Sequence, residues 1–169
     1  MQRKTSDRTG MAQARPSCRS ALPVRQSGRM AEPKTVVEEL FRRRLAGDDH
    51  VLDDLVAENM VNHAAGPQGR DGLQQILDTI RHDFGDGEGE QHHLIAEGEF
   101  VTQHVTVRGV HRASTMPLLS GTEPTGLEVA WTFIHIWRVE DDQIVEHWAC
   151  RDDLGLLHQI GAWPPAAAP

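Results

Sequence analysis

The apolar pattern of the sequence predicts an α+β domain in which helices cover one face of a bent, mainly antiparallel sheet. Three observations carry this prediction. Apolar residues recur every three or four positions between residues 34 and 84. From residue 92 to residue 149 they alternate every second position in four runs. A short leucine-rich helical period then closes the chain at 153–160.

The elements follow in order. From Lys34, Val37, Leu40, Phe41 and Leu45 form one helical stripe, flanked by Glu38, Glu39 and Arg42-Arg43-Arg44. The arginine triplet reads as a solvated helix face. Gly47 ends this helix. Asp48 or Asp49 can cap a short second helix carrying Leu52, Leu55 and Val56, and Met60 to His63 reads as a brief extended piece. Gly69-Arg70-Asp71-Gly72 opens a third helix, with Leu73, Ile76, Leu77, Ile80 and Phe84 on one face. The glycine-rich stretch 85–90 must be a loop. Strands are expected at His92–Glu97 and Phe100–Arg108. A long excursion over 112–127 is marked by Pro117, Gly121, Pro124 and Gly126. The longest strand, Glu128–Val139, pairs with Gln143–Ala149 across an Asp141-Asp142 turn, and a helix runs from Asp153 to Ile160.

At 169 residues the chain suits one domain with one core. We expect a domain over 30–163, a disordered basic extension at 1–29 and a disordered tail at 164–169. The extension holds seven of the 17 lysines and arginines and a single acid, leaving 10 bases against 24 acids from Met30 onward. A body that acidic repels phosphate backbones, which argues against nucleic acid as a partner. The apolar stretches are short and interrupted by charge, so none is expected to enter a membrane. Cys18 and Cys150 lie far apart with no CxxC pair, which points to a reducing cytoplasm and no disulfide. Ten histidines raise the question of a metal, but no HxH, HxxxH or HExxH spacing occurs, and none is expected.

Three segments carry a resemblance. The first is Asn62-His63 ahead of Gly69-Arg70-Asp71-Gly72. The second is Thr106-Val107-Arg108-Gly109-Val110-His111, followed by Pro124-Thr125-Gly126. The third begins with Phe133 to Val139 and continues through Ile144-Val145-Glu146-His147-Trp148 and Asp152 to Leu154–Gly161. In this order they resemble the SnoaL-like polyketide cyclases, the ester-cyclase branch of the NTF2-like superfamily, over residues 34–161. Two places depart from the usual pattern. The hairpin turn reads Asp141-Asp142-Gln143 instead of Asp-Gly-Lys. The middle segment reads Gly109-Val110-His111-Arg112-Ala113 instead of Gly-Thr-His-x-Gly. The resemblance implies an NTF2-like cone, with N-terminal helices packed on a strongly bent antiparallel (mixed) sheet around a pocket, and a homo-oligomer, often a dimer. It further implies cofactor-free intramolecular aldol ring closure of a polyketide-like substrate. Asp152 would be the acid/base and His63 would lie in the pocket, the two forming the expected catalytic set.

A site can also be built from the hairpin register. If Asp141-Asp142 is a two-residue loop, His135 faces Trp148 and Trp131 faces Asp152. One sheet face then carries Trp131, Phe133, His135, Trp137, Glu146, Trp148, Cys150 and Asp152. An aromatic pocket with a few polar groups is the form of a small-molecule site. In it Asp152 would take the acidic C–H proton between two carbonyls and return it to the new alkoxide. Asp153 competes for the helix cap and would free Asp152 for this work. His135 is expected as a substrate contact, with Asn62, His104, His111, Trp131, Phe133 and Trp148 completing the binding set. His147, on the opposite face, is expected to be structural or at a dimer interface. This scheme calls for no metal or redox cofactor. A hydrolase or isomerase on the same scaffold, or a silent ligand-binding or dimerising module, are the alternatives.

Overall fold

The computed structural model describes residues 31–163. The extension 1–29 and the tail 164–169 lie outside the described residues. Three helices and a strand come first: α1 (Pro33–Leu45), α2 (Val51–Leu55), β1 (Val56–Asn62) and α3 (Gly69–Phe84). Strands β2 (Glu88–Glu97), β3 (Phe100–Val110), β4 (Glu128–Glu140) and β5 (Gln143–Arg151) follow, and α4 (Asp153–Gln159) closes the fold. The sheet order is β1-β5-β4-β3-β2. The β1–β5 pair is parallel and the rest are antiparallel, so the sheet is mixed and open.

Helix α1 begins with Pro33, whose fixed φ and missing N–H suit a first turn. Its stripe of Val36, Val37 and Leu40 packs with Val101, Trp137, Val139 and Ile144. A second cluster gathers Phe84, Trp131, Phe133, Leu156 and Ile160, the last two placed by α4 and the turn that ends it. Both clusters use the same sheet face. The opposite face is left bare, with Phe100, Ile134 and Ile136 exposed. Gly89 allows α1 to approach β2: a Cβ there would lie 2.8 Å from Leu45 Cδ2 and 2.9 Å from Phe41 Cζ.

Three elements differ from expectation. Residues 88–90, expected as loop, form the start of β2, where Glu88, Gly89 and Glu90 pair with Arg108, Val107 and Thr106. Val56, expected at the end of the second helix, adopts extended geometry and starts β1. Its branched side chain favours a strand, where it pairs beside Ile144. The 112–127 excursion is also tied down firmly. The fully buried Asp83 at the end of α3 accepts hydrogen bonds from Thr115 N, Thr115 Oγ1 and Met116 N. Burial alone would raise its pKa. The bonds from His82, Thr115 and Met116 outweigh that and hold it below the ordinary carboxylate value.

The hairpin turn is as expected, with Asp141 and Asp142 both at positive φ (50° and 63°), the geometry of a type I′ loop. Glu140 pairs with Gln143 and Val139 with Ile144, but Arg138 then pairs with Glu146. Val145 is therefore an extra residue, a β-bulge, and beyond it every side chain of β5 changes face. The expected His135–Trp148 pairing becomes His135–Ala149. The bulge places Glu146 on the open face against Arg138, where its charge stays hydrated and paired.

Candidate functional site

The helices do not fill the concave side of the sheet. A cavity of about 650 Å³ lies between α1, α3 and strands β3, β4 and β5. Its walls are mostly apolar, from Leu40, Phe41, Leu73, Ile76 and Ile80 on the helices and Val105, Phe133 and Trp137 on the strands. That volume suits a small organic ligand.

Three polar groups of the cavity form one ordered chain. Asn62, His147 and His135 lie side by side on β1, β5 and β4, because β1 pairs in parallel with β5 at Asn62–His147. His147 Nδ1 is 3.2 Å from Asn62 Oδ1, and His147 Nε2 is 2.9 Å from His135 Nδ1. The backbone orients Asn62: its Oδ1 accepts from Ala64 N and its Nδ2 donates to the Pro67 carbonyl. Oδ1 is therefore the acceptor, and His147 Nδ1 carries the proton. A neutral His147 then accepts at Nε2, so His135 donates from Nδ1. The lone pair of His135 falls on Nε2, which has no protein partner among the described residues.

Both rings are held neutral. Burial depresses His135 to about 3, aided by the neighbouring His147. Burial likewise depresses His147 to about 4, aided by the charge that His63 can carry. His135 is half-buried and lines the cavity. The rings are also locked by stacking, with centroid separations of 5.4 Å for Phe133–His135, 5.1 Å for His135–Trp137 and 4.1 Å for Trp137–His147. Trp137 Nε1 donates to Gln103 Oε1, and Gln103 Nε2 donates to Gln91, so neither is free for a ligand.

Near the end of β5, Arg151 pairs with Asp153 at 2.9 Å and lies 5.2 Å over Trp131. Asp153 lines the cavity, and its Oδ1 is buried without a partner. At the rim formed by α1 and α3, Arg81 pairs with Asp86 and Asp49.

Of the expected site residues, Asn62, Phe133 and His135 line this cavity, and the others lie elsewhere. Asp152 does not project inward. It is exposed and caps α4, its Oδ1 accepting from Gly155 N at 2.9 Å, while Asp153 sits in the first helical turn. His63 lies on the open face, stacked on Trp148 at 4.2 Å and bonded to Glu146 at 2.6 Å, because it follows the inward Asn62 and strand faces alternate. Trp148 is on that open face because of the bulge. His104 is there too, 3.0 Å from His93, since it alternates with the inward Val105. His111 is fully buried between Ser114 and Thr125, where it ties the excursion together. Trp131 is buried in the second core cluster rather than on the cavity wall. His147, expected on the outer face, is a cavity residue that sequence reasoning missed.

The sequence pattern of the SnoaL-like polyketide cyclases matches residues 35–160 of this chain. The chain belongs to the SnoaL-like polyketide cyclase family. Among solved structures similar to this family member is IdmH from Streptomyces antibioticus, described as a candidate polyketide cyclase. It is 27% identical, covers 78% of this chain and 99% of its own, and gives a TM-score of 0.68. AclR from Streptomyces galilaeus, described as a candidate hydroxylase, shares the fold at 23% identity and TM-score 0.68, covering 80% and 100%. A candidate SnoaL-like polyketide cyclase from Jannaschia sp. CCS1 shares it at 16% identity and TM-score 0.67, covering 83% and 100%. No curated protein matches the chain. None of the described helices is long and apolar enough to cross a membrane.

Proposed function

We propose that this SnoaL-like protein is a small-molecule enzyme that promotes an intramolecular aldol-type ring closure of a polyketide-like substrate, with His135 Nε2 as the proton acceptor. The supporting observation is the Asn62–His147–His135 chain, whose fixed tautomers leave a lone pair on the cavity-lining ring. A C–H between two carbonyls is the most acidic kind in a polyketide, and the enolate charge that develops beside the ring offsets the burial that otherwise keeps His135 neutral, so the positioned imidazole takes its proton as the enolate forms. The Nδ1 proton of His135 moves toward His147 Nε2 as Nε2 gains one, which spreads the new positive charge over two rings. The enolate carbon attacks the second carbonyl, and the proton returns to the resulting alkoxide, so no redox equivalent is consumed.

A second reading keeps a carboxylate as the acid/base but moves it one residue, from Asp152 to Asp153. The unpartnered Asp153 Oδ1 favours it. Turnover of a panel of β-ketoester polyketide mimics separates the readings. We expect His135→Gln to lower kcat by about 10² or more. Asp152→Asn should keep wild-type kcat and lose only part of the α4 cap. Full turnover in His135→Gln with loss in Asp153→Asn would transfer the role to Asp153, and loss in Asp152→Asn alone would refute both.

The bare sheet face supports the reading of a homodimer. Val61, Phe100, Ile134 and Ile136 are exposed there with no helix laid over them, an apolar patch a second copy would cover.

A further inference from the structure

We infer that the cavity of this protein is built for an organic anion, recognised by Arg44 at the rim, so that its substrate carries a free acid group as well as an apolar body. The inference rests on the reading of the cavity as a small-molecule site and goes beyond it by assigning the substrate's charge.

The sequence places Arg44 in the triplet 42–44, which by default is a solvated helix face. The structure separates the three. Arg42 pairs with Glu39, and Arg43 pairs with Asp48 and Asp54. Arg44 instead lines the cavity, half-buried, and its Nη1 is fully buried with no hydrogen-bond partner. Burial and the like charge of Arg81 both work against its ionised form, with Asp78 and Asp49 offsetting only part. Neither acid is within ion-pair distance: Asp78 is bonded to Gln74, and Asp49 to Arg81.

The charges lining the cavity leave the same residue over. Arg81 is matched by Asp86, Arg151 by Asp153, and His135 and His147 are neutral at pH 7. One positive charge remains, on Arg44. A guanidinium is not deprotonated in a protein, and leaving a buried N–H unpaired is costly. Such a group is satisfied when a carboxylate or similar anion enters.

Two fluorescent probes test this: 8-anilino-1-naphthalenesulfonate, and N-phenyl-1-naphthylamine, which has the same rings without the sulfonate. We expect Arg44→Met to weaken the sulfonate about 10- to 100-fold and to leave the neutral amine within about twofold. Arg44→Lys should restore part of the loss, Arg42→Met should change neither probe, and added salt should weaken only the sulfonate. Arg44→Met should also keep or raise the melting temperature, because it removes an unpaired buried charge. Unchanged sulfonate affinity in Arg44→Met, or equal loss of both probes, overturns the anion assignment while the cavity reading stands. Failure of both probes to bind the wild type overturns the cavity reading and this inference with it.

Discussion

Mild acid should destabilise this fold through His135 and His147, and the size of the effect follows from their burial. Both have folded-state pKa values far below the ordinary 6.5, at about 3 and about 4. The folded chain therefore refuses protons that the unfolded chain accepts. The stability that comes from keeping the rings neutral is complete above about pH 7. It declines as pH falls through 6.5, and the decline stops only when the folded-state values are reached. Between about pH 7.5 and pH 5 each histidine should cost about 2 kcal/mol, or about 4 kcal/mol for the pair. The figure needs only folded-state values below 5. Carboxylates with ordinary values near 4 stay ionised in both states through this window. Urea unfolding at the two pH values, on the wild type and on His135→Gln/His147→Gln, measures the effect. The double variant should lose about 4 kcal/mol less than the wild type over the same interval, and each single variant about half of that. If the double variant shows the same fall as the wild type, the rings are not buried neutral, and the tautomer argument built on them fails.

Two further outcomes follow from other parts of the fold. Asp83→Asn replaces an acceptor facing the donors of Thr115 and Met116, and should cost about 2–4 kcal/mol in urea unfolding, with the 112–127 segment becoming susceptible to proteolysis. Because the Asp83 pKa is depressed, its contribution is present above about pH 4 and lost as pH falls below that. If a second copy covers the bare sheet face as proposed, the wild type sediments as a dimer and Ile134→Glu should shift it to monomer with the fold intact by circular dichroism; a monomeric wild type or an unchanged state in the variant refutes that use of the face.

The order of elements, the type I′ hairpin and the inward residues of β4 were legible in the sequence because each depends on local spacing. Phe133, His135 and Trp137 alternate on an unbroken strand, so their shared face followed directly. Two misplacements had a readable remedy. Asn62 ends β1 and His63 follows it directly, still bonded to β5, so both cannot point inward, and His104 must oppose a face already marked by Val101 and Val105. Arg44 was not legible. Only the packing of α1 beside the cavity separates it from the paired arginines next to it, and that packing is tertiary.

Val145 had the largest consequence, and here the physics explains the error. A plain two-residue hairpin would carry Glu146, Trp148 and Asp152 into the cavity and leave His147 outside. Burying Glu146 and Asp152 together would place two carboxylates in an apolar wall, each with a desolvation cost of several kcal/mol unless paired. An imidazole can enter the same wall by remaining neutral, at a cost limited to its pKa shift. The single extra residue exchanges these sets: Glu146 turns out to Arg138, Asp152 is released to cap α4, and His147 turns in between Asn62 and His135. The bulge thus selects an imidazole pair over a carboxylate as the buried proton-handling group. Deleting Val145 would push β5 back toward the costlier arrangement, so the register of this strand and the choice of proton acceptor are one structural decision.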